Sequence, residues 1–316
     1  MDHVSTIEAT KAVVTLDVPL PGIIWGWMIT LNMWAKSIGT GVILVGAYLL
    51  YRHKKEDMPN LRWMMPLISF IALNVFLLFT LLDLHQPLRM VNIFFHPHWT
   101  SAITVGAWMA SLFTGLVTLM LAIGLLDAFP EVGRHLGIAK TIRGKTALYE
   151  KVFPFVVFLA FPVTMYTAII MAEASARELW AAPAEVIQML LAAFMVGSAS
   201  FILIAGKWSE SVRKDLSWIL MLSVLFSFLM YMGEYFFSFK ASEVEATLAY
   251  VHSGGEYFVQ FWSAMIMGYI IPFFIAFSSL KNENRTMMRF AAVLTFIGLY
   301  LAKSTWLEIP QMLSLS

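Results

Sequence analysis

The sequence contains no cysteine, and only 13% of its 316 residues are charged. Without cysteine the chain forms no disulfide and has no thiolate ligands for zinc or for an iron–sulfur cluster, so a cluster that exchanges electrons with it must lie in another subunit. Soluble domains carry about 25% charged residues, whereas 59% of this chain is hydrophobic. The composition therefore indicates a membrane protein. The net charge of +1 argues against nucleic acid as a partner.

Long apolar stretches dominate the chain. Eight of them reach the roughly 20 residues that a helix needs to cross about 30 Å of hydrocarbon. Because backbone groups in lipid must bond internally, such stretches must be helices rather than barrel strands. We expect an all-α, multi-pass membrane protein with one membrane domain over residues 1–316. Its first residues, 1–20, form a polar tail without an export-signal pattern. The predicted spans are 23–50, 63–82, 102–126, 152–172, 186–205, 216–239, 257–280 and 290–306.

Lysine and arginine are distributed unevenly between the two sides. Fifteen lie in or next to the connections that follow spans one, three, five and seven, whereas only Lys11, Arg89, Arg177 and Lys240 lie on the other side. By the positive-inside rule, the basic side faces the cytoplasm and both termini face outward. The fifteen are Arg52, Lys54, Lys55, Arg62, Arg134, Lys140, Arg143, Lys145, Lys151, Lys207, Arg213, Lys214, Lys281, Arg285 and Arg289.

Histidine placement argues against a haem protein. The seven histidines lie in connections or at span ends, whereas b-type cytochromes hold haem with histidines inside helices. His96 and His98 lie two residues apart in the connection 83–101, not far in sequence from Asp83 and His85. They are either part of a metal site or, more simply, polar residues of an interfacial helix in that connection.

Ionisable residues in the outer part of the spans point to proton chemistry. Lys36 is about thirteen residues into span one, which places it roughly 20 Å deep, where a lysine costs about 2.5–3.5 kcal/mol. It is either part of a proton relay or paired with a carboxylate such as Glu234. Asn32 lies one turn outward on the same face. We expect the outer-side carboxylates to surround one pocket in which a lipid-soluble substrate exchanges protons; they are Asp83, Glu173, Glu234 and Glu256.

Several motifs resemble those of the NrfD-like membrane subunits, a family that includes the polysulfide reductase membrane subunit. The segment 83–89, Asp-Leu-His-Gln-Pro-Leu-Arg, is similar to the family's D-L-x-x-P-x-R at a span end. An HP–TS–GAW run follows at 96–108, and Tyr166 precedes Arg177 and Leu-Trp at 179–180 in the family's spacing. Weaker similarity lies in span one, at Trp25-x-Trp27 and Gly-x-Gly at 39–41. These motifs cover residues 21–205, and the last three spans, 206–316, match in hydropathy alone.

The resemblance implies a subunit of the bacterial inner membrane that carries no haem or iron–sulfur cluster of its own and exchanges menaquinone or ubiquinone near the outer face. It further implies a ferredoxin-like iron–sulfur partner docked on that face, beside a molybdopterin catalytic subunit or a multihaem cytochrome. Asp83 matches a carboxylate that handles protons, and Tyr166 matches a quinone-contacting tyrosine. We add Lys36 and Glu173 as proton-transfer candidates, and as further quinone contacts His85, Arg89, Arg177, Asn32 and Trp27.

Two other functions remain open from the sequence. A secondary transporter could use Lys36 as a coupling residue, although Pro154 and Pro162 of span four have no counterparts in span eight and the repeat signal is poor. A purely structural membrane anchor is the third alternative.

Overall fold

The computed structural model describes residues 23–131, 141–174, 177–237 and 242–313. Within these residues the chain is helical and contains no strand, which confirms the all-α prediction. In the described ranges, eight helices are long and apolar enough to cross a membrane, and α7 contains a π-helical turn at Met265–Ile270. The eight are α1 (Trp27–Arg52), α2 (Leu61–Asp83), α3 (Ala102–Ala128), α4 (Thr146–Ala172), α5 (Ala182–Ile204), α6 (Glu210–Phe237), α7 (Phe258–Ser279) and α8 (Arg285–Glu308).

The helix ends differ from the predicted span ends by up to six residues. Helices α4, α6 and α8 begin five or six residues earlier than expected. Charged residues lie within their first two turns, and these residues end the apolar stretch but not the series of backbone hydrogen bonds. Helix α1 begins later than expected, at Trp27. Lys36 is therefore its tenth residue and lies about 14 Å from the helix start, nearer to that end of the bundle than we predicted.

Helix α1 occupies the centre of the bundle. It packs against α2, α4, α5 and α8. Its crossing with α5 is close because glycine meets glycine there: a Cβ on Gly41 would overlap the backbone at Ala193, and one on Gly197 would overlap the Gly41 backbone. Without a hydrophobic drive between helices in lipid, such small residues allow the backbone contact that stabilises the pair.

The two ends of the bundle differ in character. The connections after α1, α3, α5 and α7 lie at one end, here called the basic end, where ion pairs join separate helices. Arg52 and His53 both contact Asp215, at 2.7 and 2.8 Å, and Arg213 contacts Glu283. The opposite end is called the outer end, following the positive-inside prediction. The tail 1–20 and residues Lys11, Arg134, Lys140 and Lys240 lie outside the described residues.

Short helical turns cover parts of the outer end. The connection 83–101 contains a 3₁₀ turn at Pro87–Val91 followed by a short helix at Asn92–Phe95, so its predicted helical character is confirmed. Phe94 packs edge-on against Trp108 of α3, with the ring centres 5.5 Å apart. This contact holds the segment beside the start of α3, next to the end of α2.

Candidate functional site

A polar connection between α1 and α2 begins the site. The Asn32 side-chain amide donates to the Phe76 carbonyl at 3.0 Å and to the Thr80 hydroxyl. The Thr80 hydroxyl in turn donates to the Phe76 carbonyl at 2.9 Å. Asn32 is buried, and a buried amide is costly unless it is bonded in this way. The two helices are thereby fixed in register in the outer half of the bundle.

Asp83 continues this polar face to the surface. It is the last residue of α2, three residues beyond Thr80, so both side chains lie on the same side of the helix. Asp83 is partly exposed, and His85 lies close enough to interact electrostatically with its carboxylate. A carboxylate beside a histidine at a helix end can exchange protons with the aqueous side.

Lys36 lies one turn deeper than Asn32 and is fully buried. Its ammonium group donates to the Thr167 hydroxyl of α4 and lies 4.6 Å from the centre of the Tyr166 ring. A cation above an aromatic face gains about 0.5–2 kcal/mol. These two contacts satisfy a charge that would otherwise be expensive in the membrane interior.

The Tyr166 ring also packs against α3. A Cβ on Gly106 would overlap the ring, so glycine is needed there for the ring to lie against the α3 backbone. Gly106 belongs to the Gly-Ala-Trp run at 106–108, and the structure gives this motif a physical role. Asp83, Asn32, Lys36 and Tyr166, all predicted from the sequence, are thereby arranged along three neighbouring helices.

A second buried group was not predicted. Lys303 of α8 is only 5% exposed, and its ammonium group donates to the Met189 sulfur at 3.2 Å. It also interacts electrostatically with Glu185 and with Lys36. Glu185 is also buried, at 4% exposure. The sequence showed Lys303 as an isolated residue near a span end, and Glu185 fell just outside predicted span five. Only the packing of α5 and α8 brings them together.

The remaining predicted residues lie apart from this connected set or at its surface. His85 and Arg89 are exposed in the segment after α2, and Glu173 is exposed just beyond α4. Trp27 is 58% exposed at the outer start of α1 and meets Phe79 edge-on, with ring centres 5.7 Å apart.

Arg177 is buried and donates to the Leu313 carbonyl at 2.8 Å, which ties the connection after α4 to the C-terminal segment. Gln311 makes a similar tie, since its amide bonds the backbone of Trp25 at 2.9 Å. These contacts close the outer end around the N- and C-terminal parts of the described chain. Arg177 therefore has a structural partner, and its contact with a quinone stays a prediction.

His96 and His98 are exposed in the outer segment. Among the described residues, no group of three or more His, Asp or Glu side chains is arranged to hold a metal ion.

The polar side chains of this site can form hydrogen bonds and exchange protons. Carboxylate, hydroxyl, amide and ammonium groups follow one another from the end of α2 to the interior of α1, and each can donate or accept a proton or a hydrogen bond. Such an arrangement suits a ligand that takes up or releases protons within the outer half of the membrane. The deepest group, Lys36, is a donor that can orient an oxygen atom.

Comparison with protein families is consistent with the motifs. The model of the family described as "Polysulphide reductase, NrfD" matches residues 19–313, nearly the whole chain, and therefore includes the last three helices in which we recognised no motif. No curated protein matches the sequence. NrfD proteins are membrane subunits of iron–sulfur oxidoreductases that also contain molybdopterin subunits. The chain belongs to the NrfD family of polysulphide reductase membrane subunits.

Proposed function

We propose that the protein is the quinone-reactive subunit of a respiratory oxidoreductase in the bacterial inner membrane. It exchanges electrons between the menaquinone or ubiquinone pool and a ferredoxin-like iron–sulfur subunit docked on its outer face. That subunit is accompanied by a molybdopterin catalytic subunit or a multihaem cytochrome. The observation that carries the proposal is the buried ammonium group of Lys36, one turn below Asn32 on α1. Asn32 bonds Thr80 of α2, which lies three residues before Asp83 at the outer end of that helix.

The chemistry of a quinone explains why these groups lie together. A bound quinone supplies a two-electron, two-proton couple with two carbonyl or hydroxyl oxygens. Lys36 is suited to donate a hydrogen bond to such an oxygen, and Asp83 is suited to pass protons to water at the outer surface. The chain has no cysteine for a cluster, so the electrons must leave to a partner.

The side chains between α3 and α4 suit contact with the apolar ring of a quinone. Tyr166 offers an aromatic face and a hydroxyl, and Gly106 leaves room for that ring to approach the α3 backbone. A quinone headgroup is a flat ring about the size of the tyrosine ring. Flat rings in offset or edge-on contact gain about 0.5–1.5 kcal/mol.

The proposal is tested with the assembled complex, by measuring quinol-dependent electron transfer to or from the iron–sulfur partner. Asp83→Asn removes the proton acceptor and keeps the side-chain size, so turnover should fall about 100-fold. Tyr166→Phe keeps the ring under Lys36 and removes the hydroxyl, so KM for quinol should rise about tenfold, which corresponds to one lost hydrogen bond.

Matched controls lie away from the site. Asp57→Asn changes a carboxylate at the basic end, and Tyr300→Phe removes the hydroxyl of a ring that packs on Trp34. Both should keep wild-type turnover and KM. If Asp83→Asn and Tyr166→Phe behave like these controls in a fully assembled complex, the protein is a structural anchor and the proposal is wrong. A solute flux in proteoliposomes without partners would favour a transporter instead.

A further inference from the structure

A separate cavity lies at the basic end, on the opposite side of the bundle from Lys36. It has a volume of about 460 Å³ and lies between the end of α1, the turn at Lys55–Asp57 and the first turns of α2 and α4. None of the residues discussed for the quinone lines it. Its place at the end of the spans puts it at the depth of lipid headgroups, because the helix ends mark the limits of the hydrocarbon.

The lining combines two cations and one carboxylate, Glu150, with apolar surface. Leu50, Met58 and Phe153 supply apolar walls, and Lys55 and Arg62 supply positive charge. Such a combination fits an amphipathic ligand, with an anionic part near the two cations and an apolar part against the side chains of α1 and α4.

Arg62 has hydrogen-bonding capacity to spare. Its Nε and Nη2 atoms are shielded from solvent and have no hydrogen-bond partner among the described residues. The Asp127 carboxylate lies 3.6 Å from Nη2, which is close enough for charge attraction but too long for a hydrogen bond. The guanidinium carbon lies 4.7 Å from the centre of the Tyr149 ring, and the Tyr149 hydroxyl donates to the Arg62 carbonyl at 2.9 Å. The guanidinium is thus held in place with donors unused, and a planar guanidinium suits a phosphate.

Lys55 is held by an exchangeable contact. It pairs with Glu150 at 2.9 Å, and the two side chains are 70% and 55% exposed. A pair this exposed contributes little to stability, so an anionic ligand can compete for the lysine at small cost.

The surroundings indicate that the anion arrives with lipid. Tyr51, which lines the cavity, is 93% exposed, and Leu50 continues the lining toward the middle of the membrane. A soluble anion would gain no binding energy from these apolar side chains. Cytoplasmic leaflets are rich in anionic phospholipid, and basic pockets between helices on that side bind its headgroups.

We propose that this cavity binds the headgroup of an anionic phospholipid, with Arg62 and Lys55 contacting the phosphate and Leu50 and Phe153 contacting the first part of the acyl chains. The site is independent of the quinone proposal, since it lies at the other end of the bundle. Its occupancy fixes α1, α2 and α4 relative to one another.

The test uses the full-length protein, delipidated and reconstituted in nanodiscs of phosphatidylcholine with or without phosphatidylglycerol. Two quantities are measured: the thermal unfolding temperature, and the phosphatidylglycerol retained through repurification, by mass spectrometry of extracted lipid. Wild type should retain phosphatidylglycerol and unfold at a higher temperature when it is present. Arg62→Gln should lower retention at least about tenfold and abolish the temperature increase, because it removes a charged hydrogen-bond donor.

Lys55→Gln and Lys214→Gln form the matched pair. Both lysines are exposed, lie at the basic end and pair with a glutamate, Lys214 with Glu210 at 2.8 Å, but only Lys55 lines the cavity. Lys55→Gln should lower retention and Lys214→Gln should not. If Arg62→Gln fails to fold, Arg62→Lys is measured instead. This variant keeps the charge and loses the planar guanidinium, and it should retain phosphatidylglycerol more weakly than wild type.

Three results would overturn the proposal. Equal loss of retention in Lys55→Gln and Lys214→Gln would mean a general attraction of basic residues to the bilayer. Unchanged retention in Lys55→Gln and Arg62→Lys would mean that the cavity is not the site. A temperature increase of wild type in inorganic phosphate alone, equal to that in phosphatidylglycerol, would make the ligand a soluble anion.

Discussion

Replacing Lys36 with methionine separates function from stability more sharply than any other change in this chain. Methionine keeps most of the length of the side chain and removes the charge. In the wild type, the bond to the Thr167 hydroxyl and the contact with the Tyr166 ring stabilise the ammonium group. Hydrogen bonds to charged groups contribute about 1.5–3 kcal/mol, and cation–π contacts about 0.5–2 kcal/mol.

These gains are opposed by the cost of a lysine in the membrane interior, which is about 2.5–3.5 kcal/mol. The gains and the cost are similar in size, so Lys36→Met should change the free energy of unfolding by no more than about 2.5 kcal/mol in either direction. Quinol-dependent turnover should nevertheless fall at least about tenfold, since the donor that we propose for the quinone oxygen is gone.

The assay pairs thermal or denaturant unfolding of the purified protein with turnover of the assembled complex. Lys36→Arg restores a charge and should recover part of the lost turnover. A loss of several kcal/mol in stability with turnover unchanged would show that Lys36 is a structural group. The same result would refute the proton role that we assign to it.

Three further changes test the packing and the basic end. Gly106→Ala should displace the Tyr166 ring and raise KM for quinol in the turnover assay, whereas Gly115→Ala, on the same helix with open space around it, should not; equal effects would contradict the role of the ring. Gly197→Ala should destabilise the protein by about 1–3 kcal/mol in thermal unfolding, because its Cβ meets the α1 backbone, and wild-type stability would contradict that crossing. The hydrogen bond from Arg213 holds the pKa of Glu283 below 4.5, the ordinary value of a glutamate. The stabilisation that this carboxylate contributes is therefore present above pH 4.5 and is lost as the pH falls through the lowered pKa. Glu283→Gln should therefore flatten the loss of stability in acid, and an unchanged pH profile would contradict this linkage.

The membrane architecture was predictable because one physical requirement dominates it. Backbone groups in hydrocarbon must bond within the helix, so apolar length alone identifies all eight spans. Helix ends were less predictable. In α6 the charged residues of the first two turns, among them Arg213 and Lys214, end the apolar stretch although the helix itself includes them.

The site was predictable in part, along single helices. Asn32 and Lys36 lie four residues apart, so a common face follows from helix geometry. Thr80 and Thr167 could not be identified as their partners, because hydroxyls occur throughout the spans and the pairing depends on how α2 and α4 pack on α1. Glu185 could not be identified either, because its interaction with Lys303 depends on how α8 packs on α5.

The most direct test of the account is a photoreactive quinone analogue, crosslinked to the complex in native membranes and mapped by peptide mass spectrometry. Labels on the outer halves of α1, α2 and α4, in the peptides that contain Lys36, Asp83 and Tyr166, are the predicted result, and excess menaquinol should compete with them. Labels confined to other helices or to the basic end, equally suppressed by excess menaquinol, would contradict the central claim.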